Sequence, residues 1–281
     1  MMRKKQGRSV KNALGGMVLF YLLIVFEIAY MAGPFAIYFY GVYNPILKFF
    51  NQSPILSVLN SFFLPHIARE TSSTLINIHD YIGLFLAGFG FMAFCIGACQ
   101  IYYSKFARKG AVTGGIYNFV RHPQYTSFAI CGFGLLVMWP RFINLLMYVT
   151  MLFVYNLLAR MEERECEEKF GQIYIDYKNK TARFLPLKFH FKKELPIFIK
   201  LKRKKVPVLI CMYILAMGAA FGAAKGIYAY SINCIYAIYT EDSVTVSLSE
   251  IKTDKLEQIM NIAVADKKIK SMLNETGEEK F

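Results

Sequence analysis

Acid is what this sequence is short of. Against 33 lysines and arginines stand 19 aspartates and glutamates, for a formal net charge of +14 and a pI near 9.4. Charge of either sign is sparse as well, at 19% of residues, while 56% are hydrophobic and the mean hydropathy is +0.35. A soluble domain of this length carries more charge and less apolar surface, so the composition describes a membrane protein. Cysteine is scarce: Cys95, Cys99, Cys131, Cys166, Cys211 and Cys234 lie mostly inside apolar runs and none forms a Cys-x-x-Cys pair. That excludes a disulfide frame or a thiolate zinc site and leaves small buried hydrophobes. His66, His79, His122 and His190 are too scattered to make a metal cluster. There is no low-complexity segment. There is also no internal repeat, which argues against a transporter built from duplicated halves.

The excess of base does not describe a nucleic-acid reader. Arg3, Lys4, Lys5, Arg8 and Lys11, then Lys105, Arg108 and Lys109, then Lys200, Lys202, Arg203, Lys204 and Lys205 all flank apolar runs. Base placed there orients helices and meets anionic headgroups. No nucleic-acid motif accompanies it.

The runs themselves predict an all-α polytopic membrane bundle of about five transmembrane helices, each long enough or nearly so for a bilayer about 30 Å thick. Met17 to Tyr40, interrupted by Gly33-Pro34, reads as an uncleaved signal anchor with its N-terminus in the cytosol. Glu27 lies inside that run and is costly in lipid, so it is expected to face a helix or a wet cavity. Residues 41–73, broken by Pro45, Pro54 and Pro65, read as an interfacial loop on the outer side. Leu75 to Tyr103 returns inward, with Gly83, Gly88, Gly90 and Gly97 offering a face for close helix approach. A loop over 104–124 precedes a hairpin, Tyr125 to Trp139 and Phe142 to Ala159, turned at Trp139-Pro140-Arg141. A charged segment from Arg160 to Lys205 follows, then a fifth span from Val206 to Asn233 that holds Lys225. The organisation is thus 1–103 for the first helices and outer loop, 104–205 for a core, 206–235 for the last span and 236–281 for an extramembrane tail.

Two polar clusters flank the hairpin. The first reads Val112-Thr113-Gly114-Gly115-Ile116-Tyr117, then Arg121-His122-Pro123-Gln124-Tyr125; the second reads Arg160-Met161-Glu162-Glu163, then Phe170-Gly171-Gln172-Ile173-Tyr174 and Tyr177. A hairpin crosses the bilayer and comes back, so both clusters are expected at one membrane face. Singly, each has an ordinary reading. Arg-His-Pro makes an interfacial turn with proline at a helix start, and a Glu pair is usually surface. Together, at the two ends of one hairpin, they predict a shared pocket.

In this order and spacing the pattern resembles the isoprenylcysteine carboxyl methyltransferase and phospholipid methyltransferase superfamily of integral membrane enzymes. The likeness covers roughly residues 100 to 187, where Arg183-Phe184-Leu185-Pro186 closes it. It implies S-adenosylmethionine as cofactor, with no metal. It also implies that Val112, Tyr117, His122, Pro123, Gln124, Tyr125 and Glu162 contact that cofactor in a cytosolic pocket. A carboxylate at Glu162-Glu163 suits the cofactor's ammonium, and the tyrosine rings suit adenine or sulfonium. Gly132-Phe133-Gly134 matches a cofactor-linked Gly-x-Gly of the phospholipid branch, although inside a span it equally suits helix packing.

For the acceptor, Arg160 is the expected carboxylate-holding residue, with Arg121 beside it, because a guanidinium never loses its charge. Glu163 or His122 would serve as proton acceptor if the nucleophile were an amine. The Val-Thr-x-Gly-x-Tyr approach leans toward carboxyl O-methylation of an isoprenylcysteine-like acceptor. The alternatives are N-methylation of a phosphatidylethanolamine-type lipid and a non-enzymatic membrane scaffold. The expected partners are a lipophilic acceptor arriving through the bilayer and the lipids themselves. The expected membrane is a bacterial inner membrane or the endoplasmic reticulum.

Overall fold

The computed structural model of the chain describes residues 2–43, 53–64, 70–107, 112–185, 205–239, 244–247 and 249–269. Pro45, Pro65, Pro186 and the basic block at 200–204 fall outside them.

Apolar sequence with few breakers makes long helices. The elements are α1 (Met2–Tyr43), α2 (Pro54–Asn60), α3 (Thr74–Asn77), α4 (His79–Phe106), a 3-10 turn (Gly115–Asn118), α5 (Pro123–Met138), α6 (Phe142–Phe170), α7 (Gln172–Lys180), α8 (Lys205–Asn233), a hairpin of β1 (Ala237–Tyr239) with β2 (Val244–Val246), and α9 (Thr253–Ala265). Among the described residues, α1, α4, α6 and α8 are long and apolar enough to cross a membrane, and α5 is a shorter apolar helix. The all-α membrane bundle is therefore the observed fold.

The hairpin of closest contact is α4 with α5, and glycine makes it possible. Gly83, Gly90 and Gly97 fall on one face of α4. A Cβ at Gly90 would lie 2.5 Å from the Cys131 backbone nitrogen, and one at Gly83 would lie 2.8 Å from the Gly134 carbonyl. From the other side, a Cβ at Gly134 would lie 2.5 Å from the Gly83 carbonyl. Small residues let two backbones touch where lipid gives no hydrophobic drive. Gly88 faces open space, so it stands apart from that seam. Gly132-Phe133-Gly134 serves packing here: Gly132 carries the Tyr38 contact and Gly134 the α4 contact.

Two boundaries differ from expectation. Gly33-Pro34 does not end α1, which runs through it; a proline in a long membrane helix is tolerated when a neighbour satisfies the freed groups, and the Tyr155 hydroxyl accepts the Phe35 N–H at 3.1 Å. The hairpin's second helix also does not stop at Ala159 but continues to Phe170, so Glu162 and Glu163 sit on its last turns rather than in a loop.

Packing fixes which ends meet. The first residues of α6 lie beside α2 and its following turn, where Phe63 N–H donates to the Pro140 carbonyl at 2.8 Å and Phe63 packs on Phe142. Phe142 and Phe221 stack at 5.6 Å, and Phe153 meets Tyr213 edge-on at 5.1 Å, so α8 runs antiparallel to α6. The end of α8 reaches the start of α3, with Ser72 N–H donating to the Cys234 carbonyl at 2.9 Å. All the polar motif residues gather at the other end. The tail, expected as a small appendage, forms the two-stranded hairpin and amphipathic α9, with Leu256 buried.

Candidate functional site

Pro123 begins α5 at its first turn, where a missing N–H costs nothing, and His122 caps it. At about 1.5 Å per residue, a helix of 16 residues spans only about 24 Å, less than a bilayer core. The start of α5 is thus recessed, while α6 runs past it. That difference in length leaves a cavity of about 750 Å³ between the start of α5, the last turns of α6, α7, and the lower halves of α1 and α4.

The chain closes the cavity's floor by returning on itself. Gly171 takes φ +56° and ends α6, which a residue with a side chain would do only under strain. Helix α7 folds back, and the Tyr177 hydroxyl donates to the Tyr117 carbonyl at 2.7 Å. The chain after α7 then lies beside the residues before α5, with Arg121 N–H donating to the Ala182 carbonyl at 2.9 Å and His122 N–H to the Arg183 carbonyl at 3.2 Å. That is the structural use of the Phe-Gly-x-x-Tyr-x-x-Tyr stretch and of the Arg-Phe pair that follows it.

Adjacent glutamates have separate surroundings. Glu163 is buried to 2% exposure and accepts from Arg121 Nε at 2.9 Å, Arg183 Nε at 2.9 Å and Arg183 Nη2 at 2.6 Å, with Lys178 Nζ at 3.5 Å. Arg121 spends its other donors on the Lys178 and Thr181 carbonyls. Both carboxylate oxygens are engaged, so Glu163 and Arg121 lock α5, α6 and the return segment together. Glu162, one residue earlier and half-buried, faces the cavity instead. It accepts from the Tyr125 hydroxyl, and its Oε2 lies 3.3 Å from His122 Nδ1.

His122 is the hinge of this arrangement. Its other nitrogen lies 3.4 Å from Glu163 Oε1, off the axis of a hydrogen bond, and its ring stacks on Tyr125 at 5.6 Å. Burial disfavours its charged form, but the adjoining Glu162 and Glu163 carboxylates more than offset that, and its pKa is raised. Burial likewise pushes the Tyr117 phenol up and lifts Tyr177 to about 12, so both rings stay neutral. Gln124 donates to the Tyr117 hydroxyl.

The structure brings nearly all the expected cofactor residues to one wall. Val112, Tyr117, His122, Gln124, Tyr125 and Glu162 line the cavity, while Pro123 is fully buried behind it as the helix start. Of the expected acceptor residues, Arg121 touches the cavity but is tied to Glu163, and Glu163 is enclosed by its cations. Arg160 stands exposed on α6, outside the cavity wall. Residues not anticipated for the site also line it: Tyr30 and Glu27 on α1, Tyr102 and Lys105 on α4, and Tyr174 on α7. Glu27 inside its apolar run was the signal that could have found that wall. Among the described residues no group of His, Cys, Asp and Glu could hold a metal.

The residues present fit a cofactor with an ammonium, a sulfonium and an aromatic base. A half-buried carboxylate is held in place by a tyrosine and a histidine, and neutral ring faces stand beside apolar Leu23, Phe26, Met31 and Met161.

A bundle of apolar helices, four of them long enough to cross a membrane, defines an integral membrane protein with a polar pocket at one end of the bundle. Residues 82–173 match the family model described as phospholipid methyltransferase, and this segment is therefore part of the integral membrane methyltransferase superfamily that the motif pointed to. Neither a curated protein nor a solved structure matches the chain. The family supports a membrane methyltransferase, and methyltransferases of this type generally use S-adenosylmethionine.

Proposed function

We propose that the protein is an S-adenosylmethionine-dependent methyltransferase that esterifies the carboxylate of an isoprenylcysteine-like acceptor at the cytosolic face of its membrane. The observation that carries the reading is the split between neighbours: Glu163 is neutralised inside the fold while Glu162 is offered to the cavity. Glu162 holds the cofactor's ammonium, His122 and Tyr125 fix the Glu162 rotamer, and Tyr117 and Tyr125 supply ring faces. The cofactor supplies a methyl group on a positively charged sulfur. Taken up by a carboxylate oxygen, that methyl would leave the sulfur as a neutral thioether, and Glu162, Tyr117 and Tyr125 are the residues that would hold the donor in line for it. No proton moves when the nucleophile is already a carboxylate, so the chain's task is to align the groups and exclude water.

This favours the ester reading over the amine one. An amine must lose a proton, and the nearest candidates are poorly suited: Glu163 is saturated by arginines, and His122 tends to keep its proton. The family model's description favours N-methylation of a phosphatidylethanolamine-type lipid as the second reading.

Membranes incubated with methyl-labelled cofactor discriminate between them. The expected product is a base-labile ester; a base-stable N-methyl lipid selects the second reading. Titration of purified protein with the cofactor should release or absorb heat and raise the melting temperature. Neither effect would leave the non-enzymatic scaffold.

A further inference from the structure

Helix α1 crosses the cavity's flank in two unequal halves. Toward Tyr43 it is clamped to the bundle: the Tyr38 hydroxyl donates to the Gly132 carbonyl at 2.8 Å, and Phe35 stacks on Phe128 at 4.6 Å. Below Pro34, which lacks an N–H and interrupts the helical ladder, Phe26, Glu27 and Tyr30 become a wall of the cavity. Opposite them stand Ile101, Tyr102 and Lys105 of α4. Among the described residues, α1 lies close to α5 and α6, and α4 lies close to α5, whereas α1 and α4 meet chiefly through side chains. They face each other across the cavity along a seam where Leu23, Phe26 and Phe106 are exposed as lipid-facing side chains are, and Leu23 and Phe26 also line the cavity.

What crosses that seam is charge. Lys105 Nζ makes an ion pair with the Glu27 carboxylate, and Tyr21 touches Phe106 at 6.4 Å between ring centroids. A lone carboxylate in an apolar run is costly, and the lysine neutralises it. Lys105 is half-buried and Glu27 more exposed, both line the cavity, and Lys105 also lies 5.5 Å from the centre of the Tyr102 ring. An incoming anion can take the place of Glu27 on Lys105 at little cost, because one carboxylate-like partner is exchanged for another.

Resting on the methyltransferase reading, we propose that the α1–α4 seam is the lateral entrance for the acceptor's apolar chain, with Lys105 the anchor for its anion and Glu27 the latch that covers Lys105 when the cavity is idle. The shared chemistry of the ligand is an anion on a long apolar chain, whether a prenylcysteine carboxylate or a lipid phosphodiester. The lower half of α1 moves about Pro34 to admit it while Tyr38 and Phe35 hold the upper half.

The experiment uses the full chain in detergent and measures equilibrium binding of three fluorescent probes, a prenyl carboxylate, a long-chain phosphodiester and a neutral prenyl alcohol, beside calorimetric titration with the cofactor. In Lys105→Met the binding of an anionic probe falls about tenfold, the size of one charge-assisted hydrogen bond. The alcohol binds as to wild type, and cofactor affinity is kept. In Glu27→Gln the anionic probe binds more tightly, because its competitor is gone. A loss confined to the carboxylate or to the phosphodiester supports the anchor and names its source. Unchanged binding of both anionic probes by Lys105→Met overturns the proposal, as does loss of cofactor affinity in that variant, which would make the pair a structural clasp. If wild type binds no cofactor, the enzyme reading fails by itself, and the probes still report on the seam.

Discussion

Glu162 and Glu163 differ by one position and by about a quarter turn of helix, which is enough to give them opposite work. Glu163 points between α5 and the return segment, where among the described residues it is the carboxylate paired with both Arg121 and Arg183. Removing its charge leaves two guanidiniums partly desolvated and unpaired. Breaking a buried pair from one side costs on the order of 3–5 kcal/mol. Glu163→Gln should therefore lower the melting temperature steeply in detergent. Glu162→Gln should melt near wild type, because the lost group faces an open cavity, yet lose the heat of cofactor binding. A reversal, with Glu162→Gln unstable and Glu163→Gln intact, would mean that the roles given to the neighbours are exchanged. Only the family resemblance separated Glu162 from Glu163 in the sequence, because the residues alone do not say which face of α6 meets α5, and Arg160 was attractive for the same lack of a face. Its charge fits a carboxylate; its position on α6 points away from the cavity.

Among the elements, the α4–α5 pair is held by absence of side chains rather than by their presence. A Cβ at Gly90 would meet the backbone of Cys131 and the Ser127 carbonyl, atoms that cannot swing aside, whereas Gly88 on the same helix has nothing within 4 Å. Forced overpacking costs typically 1–3 kcal/mol. Gly90→Ala should destabilise the fold by about that amount and so lower the melting temperature, and Gly88→Ala should leave it unchanged or raise it slightly, since alanine suits a helix better than glycine. Equal behaviour of the two variants would refute the glycine seam. The hairpin, its turn at Trp139-Pro140-Arg141 and the meeting of its polar ends were legible from apolar run lengths alone. The helical character of the stretch after the span was legible, since Glu165, Glu167, Glu168 and Lys169 read as a solvated helical face, but its continuity with the span as one helix to Phe170 was not. The wall formed by Glu27 and Lys105 was hidden for a different reason. Those residues are 78 positions apart, and only the packing of α1 against α5 and α6 brings them to one cavity.

For the whole molecule, the direction of five helices gathers most of the described basic residues of the bundle at one end, Arg141 beside α2 being an exception. α1 enters from the cavity end, α4 returns to it, α5 leaves, α6 returns and α8 leaves toward Cys234. Lys105, Arg121, Lys169, Lys178 and Arg183 sit at the cavity end, while Glu70, Asp80 and Glu250 sit at the other, where Glu250 N–H donates to Glu70 at 3.2 Å. Base is retained on the cytosolic side of a membrane, so the cavity is proposed to open there and the β hairpin with α9 to lie across the bilayer from it. At about 1.5 Å per residue, α4 alone separates the two ends by about 42 Å. On that proposed topology the cavity and the tail would lie in different compartments, and a donor arriving from the cytosol would reach the cavity without passing the appendage. Single cysteines placed at Glu165 and at Glu250, in a background without the native cysteines, should react with a membrane-impermeant maleimide from opposite faces of oriented vesicles. Glu165→Cys should be labelled only in inside-out vesicles and Glu250→Cys only in right-side-out ones. Labelling of both from one face would break the five-helix path, and labelling from the two faces in the reverse sense would keep the path but put the cavity on the outside, where the cytosolic cofactor cannot reach it.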